Sequence, residues 1–569
     1  MSSPAPANIA RHLSAMAAMR PDRPALKIPR GRLEDESIDY LTLSFSDLDR
    51  EVDAWVARFR ARGVRRGDRT LVMVRQGLPL IASVFALFKL GAVPVVIDPG
   101  MGLRPFLRCV RHTRPRVLLG IPFAMLISRL ALRAFSSISI RIKADSSLAG
   151  RITRPGGANR FRSEQLNTKA KEAVATGDAS ELAAILFTSG STGAPKGVCY
   201  THGMFDAQVT MIRDAYAIEP GEIDLPLLPV FALFNPALGM TTVVPEINPG
   251  RPSKLNPAAI VRAIRQEGVT NSFGSPTLWR IIAEHAAARS IALPSLRRVL
   301  CAGAPVPPVL WELARDLLPN GQLHSPYGAT EALPVSTISS DEVLAGTASL
   351  TREGAGTCVG HPMCGSHHDP LRVKILRITD GPIASMESAV ECTPGEIGEI
   401  VVNGPPVTQS YDGLPVSNTL AKIPETSENS EARPRWHRMG DCGYLDGSGR
   451  LWFCGRRVER VVTTGGIFFT EQVEPIFNQH PAVRRSALVG VGPRDRQQPI
   501  VVVELKPGAK RSASFERDLR AWALEQTARV DLRQIQTILI HSGFPVDVRH
   551  NAKIHRLTLA RWAGKRLKL

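Results

Sequence analysis

The sequence predicts an α/β protein: a large N-terminal domain of stacked sheets and helices with a β-rich subdomain, and a small mobile α+β domain at the C-terminus. Three observations lead there. Residues 40–330 alternate short β-branched apolar runs with amphipathic segments, the pattern of largely parallel sheets covered by helices. From about 350 to 453 short strand-like runs and frequent Gly and Pro turns take over. From about 457 the texture becomes that of a compact α+β unit. A chain of 569 residues also exceeds what one core sustains, since cores stop growing at about 250–300 residues. The predicted domains are 1–455 and 456–569.

Within the first domain, strands are expected at 70–74, 93–98, 117–121, 183–189, 270–273 and 298–302. Asn256-Pro257 opens a helix running to 266, with Asn as N-cap and Pro at the first turn. Ser275-Pro276 opens another to about 289, and a third spans 307–318. Further strands are expected at 373–377 and 398–402, and 415–435 reads as an exposed polar loop. The last domain carries expected strands at 487–489, 500–505 and 537–540 and a helix over 514–530. The apolar stretch 81–97 is broken by Lys89 and Pro94 and falls short of the ~20 residues of a membrane helix. It reads as helix, turn and buried strand.

Hydrophobic residues make up 44% of the chain and charged residues 22%, an ordinary globular balance. The formal net charge is +19, which favours anionic partners such as nucleotide, lipid head groups or an acidic protein. Nucleic acid is not expected: aromatics are only 6%, and no basic stripe is interleaved with them. The densest basic stretch, 129–162, reads as a solvated surface, with partner docking or a peripheral membrane contact as the alternative. Eight cysteines form no CxxC pair or ligand-spaced cluster, as in a reducing compartment. No apolar signal segment is read in residues 1–21, so a cytoplasmic protein is expected.

The chemistry concentrates at 188–197. The apolar run Ala183-Ala184-Ile185-Leu186-Phe187 leads into Thr188-Ser189-Gly190-Ser191-Thr192-Gly193-Ala194-Pro195-Lys196-Gly197. Glycines let backbone N–H groups approach an anion, and hydroxyls and a lysine add donors and charge. A helix is expected over 201–216, completing a polyphosphate cradle. A flexible Ser/Gly linker would not sit between a buried strand and a helix. A Walker loop is excluded, because Lys196 follows Pro195 and precedes Gly197 rather than a hydroxyl.

On these residues the chain resembles the superfamily of acyl-CoA synthetases, peptide-synthetase adenylation domains and luciferases, whose phosphate loop is T-S-G-S-T-G-x-P-K-G. Further motifs follow in the superfamily's order: Ala302-Gly303-Ala304-Pro305 on the adenine side, Tyr327-Gly328-Ala329-Thr330-Glu331, Arg438-Met439-Gly440-Asp441, Gly455-Arg456 at the hinge, and Lys553-Ile554-His555-Arg556. The resemblance implies ATP and Mg2+. Tyr327 would stack on adenine, Asp441 would accept from the ribose hydroxyls, and Arg456 would contact ribose or phosphate. Glu331 and Thr192 would hold magnesium, with Lys196 on the phosphates. Lys553 would touch the carboxylate and α-phosphate as the acyl-adenylate forms, stabilising charge in the transition state. Thr188, Ser189, Gly190, Ser191, Gly193 and Gly328 complete the expected nucleotide site. The small domain would rotate about the hinge between half-reactions.

A closer resemblance is to OleC-type β-lactone synthetases of bacterial long-chain olefin biosynthesis. It rests on Asp224-Leu225-Pro226, the stretch Phe231 to Gly239, Phe273-Gly274-Ser275-Pro276, Gly354 to Gly360, Thr470 to Phe477 and His541 to Asp547. That resemblance implies a long-chain 2-alkyl-3-hydroxy acid substrate, whose own hydroxyl closes a lactone on the activated carbonyl. It also admits a complex with other olefin-pathway enzymes. Phe231-Ala232, Val458 and Ile467 depart from thioester-forming members. The competing expectations are a long-chain acyl-CoA or acyl-AMP ligase, and a catalytically silent scaffold.

Overall fold

A computed structural model of the protein describes residues 7–144, 172–188, 194–247, 254–363, 370–426, 435–509, 511–546 and 554–568. After helix α1 (Arg11–Met19), strands β1 (Pro24–Arg32) and β2 (Ile38–Ser44) pair as an antiparallel hairpin. Helix α2 (Phe45–Ala61) then starts on a capping box: Ser44 accepts from the backbone of Asp47, whose carboxylate takes the Ser44 N–H.

A six-stranded sheet follows. It consists of β3 (Arg69–Met73), β4 (Val93–Ile97), β5 (Val117–Gly120), β6 (Ile140–Lys143), β7 (Leu182–Thr188) and β8 (Lys196–Thr201), in the order β6-β5-β3-β4-β7-β8. All neighbours are parallel except β7 and β8. Helices α3 (Leu78–Leu90), α4 (Leu103–Thr113) and α5 (Pro122–Leu130) are its crossovers. The stretch 81–97 is the expected helix, turn and buried strand, with Gly91 left-handed at the helix end.

The cradle differs from expectation. Between the loop after β7 and the helix expected over 201–216 lies a strand not expected from the sequence: β8 folds back antiparallel, pairing Thr188 with Lys196. Val198, Cys199 and Tyr200 are a β-type run, and Gly197 permits the pairing, since a Cβ there would come within 2.9 Å of the Phe187 ring. Helix α6 (His202–Ala215) starts only after β8, capped by Thr201.

The larger sheet adds β9 (Ile223–Asp224), β10 (Thr241–Val243), β11 (Asn271–Gly274), β12 (Arg298–Cys301), β13 (Gln322–Ala329), β14 (Ala332–Ser339), β15 (Thr357–Pro362), β16 (Arg372–Leu376), β17 (Gly398–Asn403), β18 (Lys422–Ile423), β19 (Trp436–Leu445) and β20 (Leu451–Arg456). Its main path runs β16-β17-β19-β20-β15-β14-β13-β12-β11-β9-β10-β1-β2, with β18 on β19. The β-rich segment is therefore hydrogen-bonded onto the sheet of the preceding layers. Helices α7 (Pro257–Glu267), α8 (Pro276–Ala287) and α9 (Pro308–Leu317) cover this sheet. Asn256 and Ser275 cap the first two as the sequence predicts.

The stretch 415–435 is not simply an exposed loop. Pro415 opens helix α10 (Pro415–Ala421), and Lys422 and Ile423 are buried as β18. Ile423 packs with Trp436. Two paired residues are too few to leave an alternation in sequence.

At the C-terminus, β21 (Val461–Thr463) and β22 (Gly466–Phe468) form a ribbon. The strands β23 (Val483–Val491), β24 (Gln498–Leu505) and β25 (Thr537–Ile540) form a separate sheet. Helices α11 (Thr470–Asn478), α12 (Phe515–Glu525) and α13 (Arg556–Leu567) pack on it. Helix α12 stops short of the expected 530 because the chain turns to dock elsewhere: Thr527 Oγ1 donates to the Glu353 carbonyl at 2.5 Å, and Arg529 pairs with the Glu353 carboxylate. Among the described residues no helix is long and apolar enough to cross a membrane.

Candidate active site

Two hairpins meet where the predicted motifs lie. The first is β7–β8, which delivers Lys196 at the start of β8. The second is β13–β14, whose tight turn is Thr330-Glu331. Gly328 is required in that hairpin, because a Cβ would come within 2.6 Å of the Ala332 carbonyl. The two hairpins are tied directly by Tyr200, whose hydroxyl donates to the Thr330 carbonyl at 2.5 Å.

The segment 407–412 stitches them further. Val407 bridges Ala332, and Tyr411 bridges Val198. Thr408 N–H donates to the Glu331 carbonyl at 2.9 Å, and Asp412 N–H to the Gly197 carbonyl at 2.8 Å. Asp412 is itself anchored by Arg69 at 2.8 Å. Lys196 and Glu331 thereby converge on one aromatic ring: Tyr411 donates to Glu331 Oε1 at 2.8 Å, and Lys196 Nζ stands 4.7 Å from the ring centroid.

Lys422 joins this group. Its ammonium is buried, donates to the Thr408 hydroxyl at 2.9 Å and also to the Thr408 carbonyl, and lies 5.7 Å from the Tyr411 centroid. Burial pushes its pKa down to about 7, against the pull of Glu331. Burial likewise raises the Tyr411 phenol well above its ordinary range, with the Glu331 charge adding to it.

A second cluster gathers Tyr327, Asp441 and Arg456. Strands β19 and β20 pair Asp441 with Arg456, whose guanidinium sits 2.8 Å from the Asp441 carboxylate. Tyr327 donates to the other carboxylate oxygen at 2.6 Å, and its ring is 6.0 Å from Phe453. Burial raises the Asp441 pKa, opposed by Arg456 and by the Tyr327 hydrogen bond. Gly303-Ala304-Pro305 follows β12, the strand next to β13, with Gly303 exposed at φ 94°. Arg438 points elsewhere, into a buried ion pair with Glu399 at 2.6 Å.

The site residues Ser189, Gly190, Ser191, Thr192, Gly193 and Lys553 lie outside the described residues, as does the side chain of Thr188. Sequence reading missed Tyr411, Lys422 and Tyr200. No motif marks the first two, which sit in a Pro-rich turn segment and a polar stretch.

An apolar cavity opens beneath the β13–β14 hairpin. Phe231, Phe234 and Leu238 line it from the stretch singled out in the sequence, with Phe273, Leu300 and Leu333 opposite. Phe231 and Phe273 stack at 3.5 Å between centroids, 18° from parallel. One carboxyl interrupts this lining: Asp224, buried, accepts from Asn235 at 2.8 Å, and burial pushes its pKa up to about 7.

Two linked hairpins that gather the motif residues beside an apolar cavity belong to the fold of adenylate-forming enzymes. The chain belongs to the AMP-binding enzyme family, which matches residues 13–412. It is 44% identical over 565 residues to the olefin beta-lactone synthetase of Stenotrophomonas maltophilia, covering 99% of each chain. It is also 44% identical to that of Xanthomonas campestris, covering 98% of each. In fold it matches the amide bond synthetase McbA of Marinactinospora thermotolerans, at a TM-score of 0.74 and 22% identity over 98% of this chain and 99% of that one. It also matches the O-succinylbenzoate coenzyme A synthetase of Bacillus subtilis in complex with AMP, at 0.71 and 22% over 96% and 97%.

Proposed function

We propose that this protein is an ATP-dependent β-lactone synthetase of olefin biosynthesis. A long-chain 2-alkyl-3-hydroxy acid attacks the α-phosphorus of ATP through its carboxylate, and pyrophosphate leaves. The acid's own 3-hydroxyl then attacks the acyl carbon, losing its proton, and AMP departs as the four-membered lactone closes. Holding that hydroxyl beside the carbonyl supplies much of the rate, because the second step is intramolecular. The observation that carries this reading is the 44% identity to two olefin beta-lactone synthetases along nearly the whole chain.

Lys196 and the loop Thr188 to Gly193 are assigned to the phosphates. Tyr327, Asp441, Arg456, Gly328 and Gly303-Ala304-Pro305 are assigned to the nucleoside, with Thr330 beside the α-phosphate and Lys553 on the reacting groups. Glu331 suits Mg2+: Oε1 is held by Tyr411, and Oε2 has no hydrogen-bond partner among the described residues. Bound there with Thr192, the metal would neutralise phosphate charge. The apolar cavity suits the alkyl chains. The assignment of 456–569 as a lid domain is supported by its own sheet and core. Free thiols at the described cysteines suit the cytoplasm.

Incubating the protein with ATP, Mg2+ and a synthetic 2-alkyl-3-hydroxy acid, without coenzyme A, tests the reading. A β-lactone and AMP are expected; a product that forms only when coenzyme A is added would overturn it.

A further inference from the structure

Helix α5 carries a stripe that the reaction does not use. Phe123, Leu126 and Leu130 are 63%, 54% and 76% exposed, and Leu132 just beyond the helix is 66% exposed. Positions 123, 126 and 130 are spaced three and four apart, so they share one helix face. The opposite face, through Ala124 and Ser128, is buried, and Met125 and Ile127 pack on the core beneath. The helix lies over β5 and β6, and β6 is the edge strand of its sheet. A run of large apolar side chains left in water on one helix face marks an interaction surface.

The charge around the stripe says what it meets. From 99 to 144 the sequence has nine Lys and Arg and no Asp or Glu. Arg129 and Arg133, beside the exposed leucines, are themselves exposed. Their guanidinium groups have no ion-pair or hydrogen-bond partner among the described residues. An amphipathic helix with Phe and Leu on its outer face and arginines at the flanks fits the head-group region of an anionic bilayer.

We infer that α5 docks the protein on anionic lipid membranes, with Phe123, Leu126, Leu130 and Leu132 entering the interface and Arg129 and Arg133 on the head groups. A bilayer surface is also where a long-chain acid would be concentrated. Docking itself depends on neither substrate nor nucleotide, so it stands or falls apart from the lactone reading.

The test is co-sedimentation of the full-length protein with vesicles of phosphatidylcholine mixed with phosphatidylglycerol, and with vesicles of phosphatidylcholine alone, in the absence of substrate. The wild type is expected to sediment with the mixed vesicles only, and added salt should weaken the association. The double variant Leu126→Ser/Leu130→Ser should lower the partition by at least about tenfold while retaining ATP–pyrophosphate exchange in vesicle-free solution. Arg129→Glu and Arg133→Glu should each cost about fivefold or more. Val416→Ser, on an exposed apolar residue of another helix, α10, should change nothing. Equal binding of the wild type and the serine variant would overturn the inference, as would equal binding to both vesicle types. So would a wild type that ignores vesicles, whether the stripe then proves inert or holds copies of the chain or another protein together.

Discussion

The phenol of Tyr411 donates a hydrogen bond to Glu331 Oε1 at 2.8 Å, while its ring lies 4.7 Å from the ammonium of Lys196 and 5.7 Å from that of Lys422. One aromatic residue thus fixes the carboxylate proposed for magnesium and sits against Lys196, proposed for the phosphates, and the buried Lys422.

Tyr411→Phe separates these roles, because it keeps the ring and removes the donor. A hydrogen bond to a charged group contributes about 1.5–3 kcal/mol, so a loss of roughly ten- to hundredfold in ATP–pyrophosphate exchange is expected. The Mg2+ concentration needed for half-maximal exchange should rise. A slower variant with the wild-type Mg2+ dependence would remove Tyr411 from the metal side of the site.

Lys422, beside Tyr411 and Lys196, should give ATP binding a pH dependence. Its folded pKa is pushed from 10.5 down to about 7 by burial. Above pH 7 the free protein therefore holds it neutral, and a polyanion nearby favours the ammonium. ATP binding should then take up a proton, and affinity should fall as pH rises past 7, by up to about tenfold per unit. Calorimetric titration at pH 8 in buffers of different ionisation enthalpy measures the uptake. Lys422→Met should abolish it.

Much of this arrangement could be read from the chain, and the exceptions share a cause. Strands β3, β4, β5, β7, β11 and β12 fall within one or two residues of their expected places; β4, β5 and β7 are near-continuous apolar runs, as buried parallel strands are. The caps at Asn256 and Ser275 were legible because the signal is local. Lys196, Tyr327, Glu331, Asp441 and Arg456 were legible as candidates because they stand in recognisable motifs. Tyr411 and Lys422 were not, since their roles arise when 407–412 is laid between two hairpins far away in sequence. The second strand of the cradle hairpin has no assignment in the sequence reading, because Val198-Cys199-Tyr200 is too short a run to stand out between the Gly-rich loop and the helix that Thr201 caps.

Lys553→Ala tests the catalytic assignment of the C-terminal motif. A lysine that acts on charge developing in the transition state lowers the barrier without anchoring the ground state. Acyl-adenylate formation should fall by on the order of a thousandfold, while the Kd for ATP changes little. Equal losses in binding and rate would assign Lys553 to ground-state binding instead.

Asp224 is a carboxyl whose burial destabilises the fold in a defined pH window. Its pKa rises from 3.8 to about 7 in the folded protein. Between those values the folded state binds the proton and the unfolded chain does not, so the contribution to stability falls as pH rises from about 4 and is fully unfavourable above 7. The shift is roughly three units, on the order of 4 kcal/mol at most. Asp224→Asn keeps an oxygen to accept from Asn235 and cannot ionise. Its melting temperature should match the wild type near pH 4 and exceed it by several degrees at pH 8. An advantage that is the same at both pH values would mean that packing, not ionisation, sets the difference.

Phe231 is where chain selectivity should be adjustable. Its ring stacks on Phe273 at 3.5 Å and forms part of the cavity wall. Phe231→Ala removes the stacking partner and widens the cavity on the side of Phe234 and Leu238. An acid that fills the native cavity loses apolar contact and should lose about tenfold in kcat/KM, since full burial of one large side chain is worth ~1.5–3 kcal/mol. A homologue with a bulkier 2-alkyl branch can occupy the new space and should lose less, so the ranking of the two acids shifts toward the bulkier one. KM for ATP should stay unchanged, because Tyr327, Asp441 and Arg456 are untouched. A uniform loss across all acids, with ATP affinity falling in parallel, would place Phe231 in the framework of the site and not in the wall that measures the chain.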